Sequence, residues 1–263
     1  MKVLILGDVM GKPGRHAMRA VVPGLVRELG ADFVIANCEN ATGGSGITPA
    51  DADELFGCDV DVLTSGNHIW HKKEIFEYLA DNRRILRPEN FARAPGRGYT
   101  VIESRGAKVG VLNLQGRVFM PQYVDDPFAA ADRVVALMRE RGVLVIIVDV
   151  HAETTSEKIA LARYLDGRVS AVVGTHTHVQ TSDEEIMRGG TARITDLGMT
   201  GPHDSVIGMR TDLVLERFLT QRGVPFEVAK NDVRVEGVLV DVDEQTGKAR
   251  AIERVRRRLP DAR

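Results

Sequence analysis

Strand-length apolar runs alternate with helical patterns along the chain, and most of these runs stop at an acidic, amide or imidazole side chain. Residues 3–6 precede a helical pattern over 15–29, residues 33–36 one over 50–56, and residues 60–64 one over 72–79. Such βα repetition predicts a largely parallel sheet covered on both faces. Thr48, Pro49 and Asp51 give the second of these helices an N-cap, a first position and a first-turn carboxylate. Further strands are read at 99–103, 109–114, 143–150 and 169–173, with helices over 128–141 and 155–165. Residues 185–194 and 233–255, the latter turning at 244–248, read as antiparallel hairpins. Two packed sheets with helices outside them are expected, in one domain over residues 1–263.

Composition narrows the function classes. Hydrophobic residues make up 43% and charged residues 27% of the 263 positions, which excludes disordered, collagen-like and coiled-coil chains. The formal net charge of -2 supplies no basic field, so no stable nucleic-acid complex is expected and a phosphate-bearing ligand must be held locally. The apolar run at 143–148 is too short to span a bilayer. Cys38 and Cys58 form neither a disulfide framework nor a CxxC site. The first residues lack a signal peptide's apolar stretch and cleavage site, so a cytoplasmic protein without membrane contact is expected. The Arg-rich stretch 250–263 reads as a solvated strand end and terminus. Assembly with further copies of the chain stays open.

Asp8 follows the first run, Glu39 and Asn40 the second, Asn67 and His68 the third, His151 the run 143–150, and His176 and His178 the run 169–173. In an open α/β sheet the carboxyl ends of the strands face one crevice. Alone, each residue has an ordinary explanation: Asp8 as a helix cap, Glu39 and Asn40 as turn residues, His151 as a hydrogen-bonded interior imidazole. Gathered in one crevice they carry a desolvation cost that a divalent metal usually compensates. With no thiolate cluster, carboxylate, amide oxygen and imidazole suit Mn or Fe, with Co or Zn also admitted. The candidates exceed what one ion takes, whereas two ions about 3.5 to 4 Å apart use them all. Competing motifs fail on spacing: Gly7-Asp8-Val9-Met10-Gly11-Lys12 has Pro13 where a P-loop needs Ser or Thr, Gly43-Gly44-Ser45-Gly46 lacks the dinucleotide pattern, and no G-x-S-x-G elbow occurs.

The ordered blocks Gly7-Asp8, Glu39-Asn40, Gly66-Asn67-His68, His151 and Gly174-Thr175-His176-Thr177-His178 resemble the calcineurin-like metallophosphoesterases. Met10 stands at that superfamily's first His, and Glu39-Asn40 replaces its bridging Asp block. Together with Glu39-Asn40-Ala41-Thr42-Gly43-Gly44, Asn67-His68-Ile69-Trp70 and Asp196-Leu197-Gly198-Met199-Thr200-Gly201-Pro202, these departures resemble its YmdB-like branch. The resemblance implies a four-layer α/β/β/α sandwich and two divalent transition metal ions per chain. One ion would take Asp8, Glu39, Asn40 and His178, and the other Glu39, Asn67, His151 and His176. Glu39 then bridges, and Asn40 supplies what the soft Met10 thioether does not. The implied activity is a phosphodiesterase acting on small phosphodiesters, cyclic nucleotides such as 2′,3′-cAMP. A bridging hydroxide would attack phosphorus while His68, free of metal, protonates the leaving oxygen.

Two alternatives are a phosphomonoesterase or protein phosphatase on the same core, and a non-catalytic regulator that binds metal and nucleotide; retention of His68 speaks against the regulator. A zinc amidohydrolase is weaker, because His176-Thr177-His178 comes late in the chain. Thr42, Gly43 and Gly44 are candidates to bring backbone N–H groups to substrate, and Arg117 to clamp phosphate oxygens. His16 and His71 read as ordinary helix residues, the latter in the first turn of the helix over 72–79. His203 reads as an unassigned rim residue and Cys38 as a buried structural thiol.

Overall fold

The computed structural model describes residues 1–259. Strand β1 (Lys2–Leu6) runs into the two-residue β2 (Asp8–Val9); α1 (Gly11–Leu29) returns the chain to β3 (Phe33–Asn37), and α2 (Pro49–Phe56) leads to β4 (Val62–Thr64). A 3-10 turn at Ile69–His71 precedes α3 (Ile75–Asp81), β5 (Tyr99–Ser104), β6 (Ala107–Gln115), α4 (Pro127–Glu140), β7 (Val145–His151), α5 (Thr155–Tyr164) and β8 (Ala171–Thr175). The last third holds β9 (Glu185–Ile186), β10 (Ala192–Ile194), β11 (Met199–Pro202), α6 (Thr211–Thr220), β12 (Val233–Val242) and β13 (Ala249–Arg258).

One sheet follows the order β2-β11-β12-β1-β3-β4, with β13 on β12, and the other β5-β6-β7-β8-β10-β9. β1, β3 and β4 are parallel neighbours in the first, and β6, β7 and β8 in the second. Their facing sides share one apolar layer, in which Ile5, Phe33, Ile35 and Val238 meet Val111, Ile147, Val173 and Ile194. Met18, Val22 and Leu55 of α1 and α2 cover the outer face of the first sheet. Val134, Met138 and Leu161 of α4 and α5 cover that of the second. The chain is therefore a four-layer α/β/β/α sandwich, and burial on both faces accounts for the nearly unbroken apolar runs of its central strands.

Several boundaries differ from the sequence expectation for local reasons. α1 begins at Gly11, a turn before the 15–29 pattern, because Pro13 in the first turn forfeits no helical hydrogen bond. α3 begins at Ile75 because residues 69–71 close a 3-10 turn first. His71 thus lies in that turn and not in an α-helix. Thr48 caps α2 as expected, accepting the Asp51 N–H. β2, β11 and α6 have no counterpart in the sequence expectation. β2 and β11 are too short to carry a pattern and exist by pairing with each other, Met199 opposite Asp8. Of the Arg-rich stretch, residues up to 258 form β13, and residues 260–263 lie outside the described residues. Among the described residues no helix is long and apolar enough to cross a membrane.

Candidate metal centre

The carboxyl ends of strands from both sheets deliver Asp8, Glu39, Asn40, Asn67, His151, His176 and His178 to one place. Asp8, Glu39 and His151 are wholly buried there. His151 Nε2 lies 3.1 Å from Glu39 Oε2, 3.0 Å from Asn67 Oδ1 and 3.0 Å from His176 Nδ1. One imidazole nitrogen makes one hydrogen bond, so this crowd of lone pairs is not satisfied by hydrogen bonding alone. On the other side of Glu39, Asn40 Nδ2 lies 3.1 Å from Glu39 Oε1 and 3.1 Å from His178 Nε2, which is 3.8 Å from Asp8 Oδ1. The network thus divides into two sets that share Glu39. Asp8 Oδ1 is buried without a hydrogen-bond partner, and Glu39, His151 and His176 offer ligand atoms within 4.8 Å of one another. An orphaned carboxylate oxygen beside converging lone pairs suits a divalent cation. Asn67 already turns its amide oxygen to the cluster. Asn40 turns its nitrogen, so a ligand role requires a half-turn of an amide whose two ends have nearly the same shape.

Burial, with Glu39 nearby, pushes the Asp8 carboxyl up to about 6 against the pull of His178 and His151. Burial also works to raise Glu39, but the His151 and His68 imidazoles outweigh it and hold the carboxyl well below the usual range. Burial works against charge on His151, and the Glu39, Asp8 and Asp149 carboxylates outweigh it, lifting the imidazole to about 9. Burial and the neighbouring His151 press His176 down to about 3. A proton on His151 therefore occupies the place of a cation, and a metal must displace it. Mn²⁺ affinity should rise about tenfold per pH unit until pH 9, where His151 loses its proton unaided, and more steeply below pH 6, where Asp8 also holds one. Titration calorimetry across that range reads the slope, and an affinity indifferent to pH contradicts it.

The local sequence explains how these groups come so close. A Cβ on Gly66 would lie 2.1 Å from His151 Cδ2 and 2.4 Å from Glu39 Oε2, so only glycine lets β4 end against the cluster. His176 and His178 adopt φ of 96° and 63°, a left-handed conformation uncommon outside glycine. Thr177 between them is anchored on Asp196 Oδ2, which accepts its N–H (3.2 Å), its hydroxyl (2.7 Å) and Lys158 Nζ (2.7 Å). The His176 N–H donates to Asp8 Oδ2 at 3.1 Å.

Behind His151 stands a relay that sequence reasoning missed. Thr175 Oγ1 donates to Asp149 Oδ1 (2.8 Å) and, its single proton committed, accepts from His151 Nδ1 (2.9 Å). That fixes the imidazole with Nε2 toward Glu39 and Asn67. Asp149 also accepts from Thr64 Oγ1 (2.5 Å) and Asn37 Nδ2 (3.2 Å). A lone carboxylate inside the apolar run of β7 was the available signal. Thr175→Val, which keeps the shape and loses the hydroxyl, should weaken metal binding by about 10- to 100-fold while Thr175→Ser retains it. Unchanged affinity in the valine variant contradicts the relay.

A cleft of about 430 Å³ opens over the cluster, lined among others by Glu39, Asn40, Gly44, His68, His176 and His178. His68 Nδ1 lies 2.7 Å from Asn40 Oδ1 and 3.2 Å from Glu39 Oε1, and its backbone N–H donates to Glu39 Oε2 at 3.1 Å. The remaining expected contacts fall elsewhere. The Thr42 hydroxyl donates to Asp51 and accepts the Thr48 N–H (3.1 Å), while its own N–H donates to Gly46 O (2.9 Å), so Thr42 serves the turn into α2. Gly43 faces a neighbouring groove with Lys12 and Thr42. Arg117 is exposed and outside the cleft lining, its N–H held by the Glu157 carboxylate. His203 Nε2 turns to Glu236, 3.2 Å away, not to the cleft. His16 is exposed on α1, and the His71 ring lies 4.7 Å from that of His68. Cys38 is fully buried, and burial pushes its thiol up. Met10 is buried against Gly201 and Gly208, where added Cβ atoms would come within 2.6 Å of its side chain.

The family model described as YmdB-like protein matches residues 4–255. The chain is 47% identical over 256 residues to the 2′,3′-cyclic-nucleotide 2′-phosphodiesterase of Bacillus subtilis (strain 168), covering 97% of this chain and 96% of that relative. Among solved structures, a hypothetical protein from Thermus thermophilus shares 40% identity at a TM-score of 0.92, covering 99% of this chain and 100% of its own. A structure described as a novel phosphatase from Mycoplasma pneumoniae shares 36% identity at a TM-score of 0.91, covering 98% and 93% of the two chains.

Proposed function

Because the chain belongs to the YmdB-like protein family, we propose that it is a metal-dependent phosphodiesterase that hydrolyses small phosphodiesters, 2′,3′-cyclic nucleotides first among them, at the strand-end cluster. The observation that carries this reading is the orphaned Asp8 oxygen beside the three atoms crowded on His151 Nε2, all at the floor of an open cleft. Two divalent ions, of Mn or Fe type for this donor set, would supply Lewis-acid activation of water and neutralise charge on the phosphoryl oxygens. Asp8, Glu39, Asn40 and His178 would hold one, and Glu39, Asn67, His151 and His176 the other.

The chain's own groups do the rest. With Asn40 turned to an ion, Glu39 holds His68 by Nδ1, 3.2 Å from its Oε1, which sets the ring plane and leaves Nε2 as the nitrogen available to substrate. From there His68 gives a proton to the ribose oxygen as its bond to phosphorus breaks. Thr175 and Asp149 keep His151 in one tautomer, and Asp196 with Lys158 keeps the strained loop of His176 and His178 in place. Gly44, at φ 88°, lets backbone approach the cleft. A volume of about 430 Å³ suits a nucleotide-sized ligand.

The test is a substrate panel with metal-loaded protein: 2′,3′-cyclic AMP, a bis-nitrophenyl diester, the 2′- and 3′-monoesters and a phosphopeptide. The expected result is a kcat/KM for the cyclic diester well above those for the monoesters. A preference for monoesters or phosphopeptide replaces this reading with the phosphatase one, and tight binding of cyclic nucleotide without turnover replaces it with the regulator.

A further inference from the structure

Beside the ligand cluster, the same cleft has a wall of entirely different chemistry. Ile207, Met209, Val214, Phe218 and Phe226, all from the segment joining β11 to β12, line it. Scattered exposed apolar residues carry no meaning, but a contiguous apolar wall facing polar groups in one concave site does. Phe218 is 68% exposed and Ile207 51%.

The wall is fastened to the centre. Ile207 has φ 46°, a left-handed conformation costly for a β-branched residue. That strain sits in a tight turn closed by the antiparallel bridge of Val206 with Met209 and tied to the segment before β12 by that of Met209 with Val228. In this turn the Ile207 carbonyl accepts from His178 Nδ1 at 2.8 Å. One contact thus leaves His178 Nε2 to the cluster and places the Ile207 side chain in the cleft. Arg217 lies over the Phe226 ring, 4.9 Å from its centroid, bracing it from another side.

We infer that this wall is a nucleobase subsite: a cyclic phosphodiester seated on the cluster lays its base against Phe218 and Phe226, so the chain selects nucleotides over compact sugar phosphates. The inference rests on the phosphodiesterase reading. A base is the part of such a substrate with a flat apolar face, and the wall offers rings and aliphatic groups. Stacking on such a platform tolerates any base, so adenine and guanine should gain somewhat over cytosine and uracil, without sharp selection.

The experiment compares adenosine 2′,3′-cyclic phosphate with methyl riboside 2,3-cyclic phosphate, the same reacting group without a base, in the wild type and in Phe218→Ala, Phe226→Ala, their double variant and Phe218→Tyr. The expected result is a kcat/KM for the nucleotide reduced about tenfold or more in the double variant, mainly through KM. The baseless substrate should be little changed, and Phe218→Tyr should be near wild type. Equal losses on both substrates, or none, overturn the subsite. Loss on both together with a change in sedimentation would mark the face as an interface between copies. If the wild type turns over both substrates with the same KM, the subsite alone fails. If it turns over neither, the phosphodiesterase reading fails and takes the subsite with it.

Discussion

Glu39→Ala is expected to strip the centre of bound metal and to reduce hydrolysis of 2′,3′-cyclic AMP by about a thousandfold or more. Among the described residues no other side chain has both carboxylate oxygens engaged on opposite sides of the cluster, Oε1 toward Asn40 and His68, Oε2 toward His151 and the His68 N–H. Its loss would remove a ligand from both proposed ion sites at once. The fold should survive, since the residue follows β3 and its removal also relieves the charge that helps push Asp8 up. Circular dichroism and elemental analysis of the purified variant separate loss of metal from loss of structure. A folded variant that keeps its metal and full turnover would place the bridge elsewhere.

Replacing His68 should give the second large effect, with the opposite signature in the metal. In His68→Ala or His68→Asn, turnover of a ribose 2′,3′-cyclic phosphate should fall by roughly 10² to 10⁴ while metal content stays at the wild-type level. Nδ1 is occupied by Asn40 and Glu39, and the side chain is 30% exposed toward the cleft, which is the placement a proton donor needs. The deficit should shrink for a bis-nitrophenyl diester, because nitrophenolate leaves with little need of a proton. Equal slowing on both substrates would instead assign His68 to charge stabilisation on the phosphoryl oxygens. Unchanged turnover on both would remove it from the mechanism.

The polar residues at the strand ends were legible in the sequence because an apolar run that stops at Asp, Glu-Asn, Asn-His or His fixes both the strand and the side of the sheet where its end emerges. The two-sheet sandwich was legible for the same reason, from near-continuous apolar strands that need cover on both faces. The segment between β11 and β12 was not. α6 carries Leu213, Val214, Leu215, Phe218 and Leu219, yet only Val214 among them is buried. A reading that equates apolar periodicity with core contact gives no account of a helix whose apolar residues face a cleft and solvent. β2 and β11 were invisible because they hold two and four residues and owe their existence to long-range pairing. Residue type alone makes Thr42 and Arg117 candidate substrate contacts, and it does not reveal that the Thr42 hydroxyl is committed to Asp51 or that Arg117 is exposed outside the cleft lining. Thr175, Asp149 and Lys158 are hard to read from sequence because they act through other residues, and their partners lie on other parts of the fold.

The metal content of the wild-type chain decides most directly whether the strand-end cluster is a dinuclear phosphodiesterase centre. Protein purified without chelator, and protein stripped and then titrated with Mn²⁺, should both hold about two ions per chain, with turnover of 2′,3′-cyclic AMP rising in step with occupancy. A chain that carries no metal, takes up none on titration and hydrolyses the cyclic diester regardless would contradict the assignment.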